Sequence, residues 1–371
     1  MASADIVIGG GGIIGLSTAI ELAGTGLRVR VLERGRAMAE ASWAAAGMLA
    51  AEDPENPEEL SPLAGLSRDL YPNYLRRIEH LSGHCVPVRT RNALQATRRG
   101  GSFHCSETAT RRPISIESAR EKVGSLAAEG RSFLWLEEWS LDPRDLCAAL
   151  PPAAANAGVI IDEKAEIRSV RWKPGGIEIE SSSGTLSAGI FVNCCGAWAA
   201  GVMPEARDEQ AREAAAQPIV EPRKGQMLTI RLEDPQELAC VVRTPEIYLV
   251  PRGDGRVVIG ATVERAGFDR EIDHASLDRL RMQAAEIWPP AAQAPVVERW
   301  TGLRPGTADD LPVIGPAGGP GDDGNYWLAT GHFRNGILLA PATAAVLAQM
   351  IRGESPAVSL EAFAPDRGVS R

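Results

Sequence analysis

Along the first third of the chain the apolar positions switch repeatedly between a strand period and a helix period. Residues 6–8 (Ile6, Val7, Ile8) are an unbroken apolar run, the pattern of a short strand buried on both faces. Residues 15–23 read as a helix, and residues 27–32 as a second strand that delivers Glu33 at its end. An acidic, proline-bearing loop follows at 51–62. Residues 63–81 then place Leu66, Leu70, Tyr74, Ile78 and Leu81 at helical intervals. Residues 89–99 read as strand and 113–129 as helix. A further helix is expected at 144–157, with Asp142 as its N-cap and Pro143 in its first turn.

The middle of the chain predicts a strand at 159–161, a meander at 165–172 and 177–180, and a return strand at 189–193. From residue 217 the character changes to strand-like runs at 220–232, 240–243, 246–251 and 256–264, split by turns such as Gly253-Asp254-Gly255. A helix at 277–288, a glycine-rich loop at 316–324, a strand at 326–329 and a helix from 336 to 352, stopped by Gly353, complete the pattern. No internal repeat is visible.

The first two strands and the helix between them frame Gly10-x-Gly12-x-x-Gly15, with Glu33 eighteen residues beyond the last glycine. Strand, glycine turn, helix, strand and acid together make a dinucleotide-binding βαβ unit. In such a unit Gly10 permits the tight turn, and Gly12 lets backbone approach a pyrophosphate lying on the helix N-terminus. Gly15 allows close helix–sheet packing, and the Glu33 carboxylate can accept from ribose hydroxyls. Gly9 stands where an apolar residue is usual, so a slightly shifted strand end is expected. The run of small side chains at 41–48 suggests backbone lying against a ligand, or the start of an alanine-rich helix. A nucleotide domain whose second half holds a meander suits an FAD fold better than a plain NAD fold.

The chain has 371 residues, long enough for one or two well-buried domains. Its formal charge of −9 disfavours nucleic acid and anionic membrane as partners. No eighteen-residue apolar run predicts a membrane span, and the first strand starts too early for a signal peptide, so a cytoplasmic protein is expected. The six cysteines (Cys85, Cys105, Cys147, Cys194, Cys195, Cys240) show no C-x-x-C spacing and read as buried free thiols. Cys194-Cys195 ends an apolar strand, where small buried residues are needed. The five histidines are scattered, and no metal site is expected.

Eight segments, in order, resemble the flavin-dependent glycine oxidases of the D-amino-acid oxidase and sarcosine oxidase group. They are residues 5–33, ASWAAAGML (41–49), LDPRDLCAAL (141–150), VNCCGAWA (192–199), PRKGQML (222–228), YLVPRGDGRVVIGAT (248–262), TGLRPGTADDLPVIGP (301–316) and ATGHFRNGILLAPATA (329–344). The resemblance implies a mixed α/β fold in which a Rossmann-type FAD-binding domain (1–85, 140–215, 296–371) is interleaved with an antiparallel-sheet substrate domain (86–139, 216–295). It implies non-covalent FAD, since a cysteine that flavin-linked relatives carry near Leu303 is absent. It also implies a small amino-acid substrate, oxygen as acceptor, and a homo-oligomer, tetramers being common in the group. The activity implied is oxidation of glycine, with sarcosine and small D-amino acids as competitors, giving the imine used for the thiazole of thiamine. A dehydrogenase of related fold using another acceptor is the alternative, and a non-catalytic nucleotide-binding protein is a third reading.

By the same resemblance, flavin contacts fall on Gly10, Gly12, Ile13, Ile14, Gly15, Glu33, Arg34, Ala41, Ser42, Ala46, Gly47, Met48, Gly196 and the turn His332, Phe333, Arg334, Asn335, Gly336, Ile337 and Leu338. Glu166 matches a position that meets adenine through its backbone. Arg304 matches the substrate arginine. Its planar, permanently charged guanidinium suits a carboxylate anchor, the alternative being a surface ion-pair partner. Tyr248 matches a substrate-side tyrosine that donates to the same carboxylate, and unaided it is a sheet aromatic. Arg334 serves either flavin or substrate, and His332 reads as structural. Glu246, two residues before Tyr248, bears on which amines are preferred.

Overall fold

The computed structural model describes residues 2–103, 107–204, 220–317 and 324–367. Cys105 and residues 318–323 of the expected glycine-rich loop lie outside that set. Two eight-stranded sheets organise the rest.

In the first sheet the order is Val313–Pro316, Tyr326–Thr330, Gly184–Asn193, Ala2–Gly9, Val29–Glu33 and Ile160–Glu163. The pairings from Tyr326–Thr330 to Ile160–Glu163 are parallel, and Val313–Pro316 closes one edge antiparallel. The meander Ile167–Lys173 and Gly176–Ser181 runs antiparallel into Gly184–Asn193. Alternation decides which side chain meets which layer. Ile6, Ile8, Val29, Val31 and Val192 pack under the helices Ile13–Ala23, Ser61–Ser82, Pro143–Asn156 and Gly336–Ile351. Val7, Leu32, Phe191 and Leu328 face the other way, onto Val170, Ile177 and Ile179 of the meander. Gly9 stays within the first strand, paired to Leu32 and Asn193, so the anticipated shift does not occur. Asp142 accepts from the Arg144 N–H and starts its helix at Pro143.

The second sheet runs Val296–Gly306, Glu221–Arg231, Arg256–Gly260, Tyr248–Pro251, Val241–Arg243, Ala93–Ala96, Phe133–Leu136 and Arg111–Ile114. Only the Val241–Arg243 and Ala93–Ala96 pairing is parallel among these. One face packs on the helix His274–Ile287, through Leu228, Ile230, Leu249, Ile259, Leu277 and Leu280. The other carries Met227, Val250, Val258, Trp300 and Tyr248.

Several expectations need correction. The segment expected as one helix at 113–129 is helical only at Ile116–Lys122; Arg111–Ile114 is an edge strand, where Pro113 costs no ladder bond. Residues 89–99 divide between two sheets, because Val88–Thr90 pairs with Ser140–Leu141 instead. The strand expected to reach residue 264 ends at Gly260. Val296–Gly306, assigned with the nucleotide-binding portion, is hydrogen-bonded along its length to Glu221–Arg231 in the second sheet. Cys85 is exposed, lying just past the left-handed Gly83 that caps its helix, whereas Cys194 and Cys240 are buried.

Candidate active site

Where the first strand ends, Gly10 adopts φ +98°, and a Cβ there would stand 2.4 Å from the Cys194 carbonyl oxygen. Gly15 is closer still to its surroundings: a Cβ would lie 2.0 Å from the Gly10 carbonyl oxygen. The Glu33 carboxylate accepts from the Gly11 N–H and the Gly35 N–H, both at 2.8 Å, which fixes it beside the glycine turn. Ser42 Oγ accepts from the Ile13 N–H at 3.0 Å and so ties the small-residue segment to the start of the first helix. Arg34 lies over the Trp198 ring, 3.5 Å from its centroid, and Trp198 stacks on Phe268 from the second-sheet side. The Glu166 N–H donates to Ser182 Oγ at 3.0 Å and its carbonyl accepts from the Ser182 N–H, so its backbone groups are already bonded within the protein.

The small-residue segment lies between the sheets. Gly47 has φ +82°, and a Cβ there would meet the Leu141 carbonyl oxygen at 2.1 Å. A buried arginine, Arg252, donates through Nη1 to the carbonyls of Ala46 and Leu141, each at 2.8 Å. Trp300 Nε1 donates to the Ala44 carbonyl at 3.0 Å, and a Cβ on Gly302 would stand 2.5 Å from the Ala44 Cβ. Small side chains are needed here because two backbones and a tryptophan edge converge.

The second sheet supplies the polar end. Arg304 Nη1 donates to the Thr262 carbonyl at 3.0 Å. Tyr248 packs over Gly260, where a Cβ would be 2.4 Å from the hydroxyl. Burial raises the Tyr248 pKa and outweighs the opposing pull of Arg304, Arg252 and Arg334, so the phenol stays protonated and can donate. Glu246 is held by Thr244 Oγ1 at 2.9 Å and by an ion pair with Arg98, and these interactions keep its carboxyl below the usual range against burial.

The helix Gly336–Ile351 closes the site. Pro341 inside it cannot donate to the Ile337 carbonyl, and the Tyr71 hydroxyl donates there instead, at 2.5 Å. Ser67 Oγ inserts one step on, donating to the Leu338 carbonyl and accepting from the Ala342 N–H. Before the helix, Phe333 holds φ +44° and its N–H donates to the Pro305 carbonyl, next to Arg304. Burial depresses the His332 pKa to about 3, so the ring is neutral, 3.0 Å from Thr343 Oγ1. Arg334 is exposed, and its Nη2 donates to the Glu55 carbonyl at 2.8 Å. Burial pushes the Cys195 thiol up to about 12 and the Cys194 thiol well up too, leaving neither as a thiolate.

Residues of the glycine turn, the small-residue segment, the second sheet and the turn at 332–337 line one cavity of about 680 Å³. Of the sequence-derived candidates, only Gly15 and Leu338 do not border it: Gly15 acts in packing, and Leu338 is buried under Ser67. Sequence reasoning missed the cavity-lining Trp198, Arg243, Gln95 and Asp53, and it missed Arg252 and Gly225, which support Ala46 and Arg304 from outside the lining. Arg252, Gly225 and Trp198 lie within the segments 248–262, 222–228 and 192–199 without a local signal of their own, and Arg243, Gln95 and Asp53 carry no local pattern. The N-termini of the helices Ile13–Ala23 and Gly336–Ile351 both border the cavity. One can meet a pyrophosphate and the other the electron-rich edge of a flavin ring. With glycines at Gly10 and Gly12 admitting backbone to the phosphates and Glu33 placed for a ribose, the residues fit FAD. Among the described residues no cluster of His, Cys, Asp and Glu could hold a metal ion, and no helix is long and apolar enough to cross a membrane.

Comparison with known proteins agrees with this geometry. Residues 5–350 match the DAO family, described as FAD dependent oxidoreductase. The glycine oxidase of Pseudomonas aeruginosa is 32% identical over 383 residues, covering 98% of this chain and 99% of that protein. The bifunctional protein ThiO/ThiG of Trichormus variabilis is 34% identical over 361 residues, and the match spans 52% of its length. The crystal structure of glycine oxidase from Geobacillus kaustophilus superposes with a TM-score of 0.89 at 29% identity, covering 100% of both chains. The glycine turn, the two helix N-termini on one cavity and a family match across nearly the whole length lead to one conclusion: the chain belongs to the DAO family of FAD-dependent oxidoreductases.

Proposed function

We propose that this protein oxidises glycine, and small amines of similar size, at the Arg304 end of the cavity. The observation that carries this reading is the placement of Arg304 beside a protonated Tyr248 in the cavity that also holds the dinucleotide turn. Relatives named glycine oxidase, aligned along 98% of the chain, support the choice of amine.

Arg304, already fixed through Thr262, offers its remaining N–H groups to the substrate carboxylate, and the Tyr248 hydroxyl adds a second donor. Two donors at one end of a small molecule set the position of its α-carbon, and that orientation is what this chain contributes to rate. FAD held at the Gly10–Gly12 turn and the N-terminus of the helix Gly336–Ile351 would supply the acceptor for the α-carbon hydride, with oxygen as the final acceptor and hydrogen peroxide as the second product. The amine must be neutral at that moment; its lone pair forms the C=N bond as the C–H bond breaks, and the proton leaves nitrogen to solvent. No side chain of the described residues is required as a base. Water then hydrolyses the imine to glyoxylate and ammonia, unless it is used first for the thiazole of thiamine, a role the ThiO/ThiG relatives favour.

We assign FAD to the first sheet and its helices, and the amine to the second sheet, now including Val296–Gly306. We place the protein in the cytoplasm as a homo-oligomer. The test is an absorption spectrum of the purified protein followed by anaerobic glycine. A flavin band that bleaches and returns with oxygen is expected. A band indifferent to glycine removes glycine as substrate, and bleaching that oxygen does not reverse assigns another acceptor.

A further inference from the structure

Tyr248 lies directly opposite Arg243 in the antiparallel register, and Arg243 lies opposite Gln95 across the next, parallel pairing. Residues opposite one another in a sheet project to the same face, so the three side chains form a row along one wall. All three border the cavity, and so does Asp53 from the loop after the small-residue segment.

Arg243 is buried, its side chain 4% exposed. Nε donates to Gln95 Oε1 at 2.7 Å. Nη2 lies 2.8 Å from Glu138 Oε2, an ion-pair distance, but without the alignment of a hydrogen bond. Nη1 has no hydrogen-bond partner among the described residues, and Asp53 Oδ2 stands 3.9 Å from it. Asp53 Oδ1 is occupied by the Glu55 N–H at 3.0 Å, which leaves Oδ2 facing Arg243. A buried donor and an acceptor thus face each other across a gap too wide for a direct bond.

One oxygen atom that accepts from Nη1 and donates to Asp53 Oδ2 can span that gap with two bonds of ordinary length, about 2.8 Å each. A carboxylate accepts but has no proton for Asp53, and it would face that residue's negative charge. An ammonium donates but cannot accept from Arg243. Only a neutral group that does both satisfies the pair: a water molecule or, on the substrate itself, a hydroxyl.

We propose that Arg243 and Asp53 form a side-chain subsite beside the Arg304–Tyr248 anchor that takes the hydroxyl of a small hydroxyamino acid. This rests on the reading of the cavity as an amine-oxidising site. With glycine, water fills the subsite; with alanine, a methyl group leaves the buried donor unmet. A pocket built to bond a hydroxyl discriminates strongly against the analogue lacking it.

The test compares kcat/KM for D-serine and D-alanine on the FAD-loaded protein, wild type and Asp53→Ala, with glycine run alongside. The expected result is a D-serine to D-alanine ratio of about 10 or more in the wild type, falling towards 1 in the variant. Binding of D-glycerate and D-lactate, followed by the shift of the wild-type flavin band, reads the same subsite without turnover and without any variant. D-glycerate should bind the tighter. Equal ratios for both pairs, with glycine still bleaching the flavin, overturn this proposal alone. D-aspartate preferred over D-serine overturns it in favour of a second carboxylate. Failure of every amine overturns it together with the reading on which it rests.

Discussion

The guanidinium of Arg304 lies against Gly225, so closely that a Cβ on that glycine would stand 2.1 Å from Nη1 and 2.4 Å from Cζ. The glycine is a vacancy cut to the shape of the arginine. A methyl group there must move the guanidinium or the strand beneath it. Gly225→Ala is therefore expected to lower kcat/KM for glycine by about 100-fold, the order of cost of a 1 Å misplacement. FAD content should be unaffected. Steady-state kinetics with a flavin spectrum checks both parts, and wild-type kinetics in the variant would remove Arg304 as the anchor.

Glu33 acts twice, bonding two backbone N–H groups and facing the cavity. In Glu33→Ala those N–H groups lose their acceptor at the cofactor's edge. FAD affinity should drop by about 10- to 100-fold, equivalent to about 1–3 kcal/mol. Flavin fluorescence released on dilution measures it; unchanged occupancy argues against a ribose role.

Arg252 bridges the carbonyls of Ala46 and Leu141 from the opposite sheet. Lysine keeps the charge but loses the planar fork. Arg252→Lys is expected to cost about 1–3 kcal/mol, the price of an unmet buried carbonyl, and to lower Tm by several degrees. Thermal unfolding with and without added FAD checks this, and an unchanged Tm would show that the bridge is dispensable.

His332 gives the fold a dependence on acid. Folded, the buried ring refuses a proton until about pH 3; unfolded, it accepts one near 6.5. Between those values the unfolded chain binds more protons, so the stability present above 6.5 is lost by about 1.4 kcal/mol per pH unit as pH falls. His332→Gln should show a shallower decline between pH 6.5 and 4.5 in urea denaturation. Parallel curves for the two proteins would contradict the assignment.

The nucleotide end was legible in sequence because it is local. Strand, turn, helix and acid follow within residues 6–33, and each piece has its own period or spacing. The polar end was legible only through resemblance. Tyr248 and Arg304 are distant in sequence and meet through strand pairings that no local pattern announces. Arg243 was invisible for the same reason, since its partners Gln95 and Glu138 lie more than a hundred residues away in sequence. Pro113 misled because a polar, charged stretch following it looks helical, whereas its edge position in the sheet tolerates a missing N–H. The break at 296 misled because the final strand of the second sheet arrives late in the chain.

Tyr71 and Ser67 complete the hydrogen-bond ladder of a helix that begins at residue 336, across 266 to 275 positions of chain. The first turn of that helix borders the cavity, so this wall cannot be finished from its own segment. During folding it must wait for an encounter between two segments at least 266 residues apart, a closure whose entropic cost grows with the length of chain enclosed. A fragment that begins after residue 82 would therefore carry Arg304 and the closing turn, yet present its first helical turn with the Ile337 carbonyl unmet. The wall of the cofactor cavity is complete only once the helix at 61–82 has met the helix at 336–351.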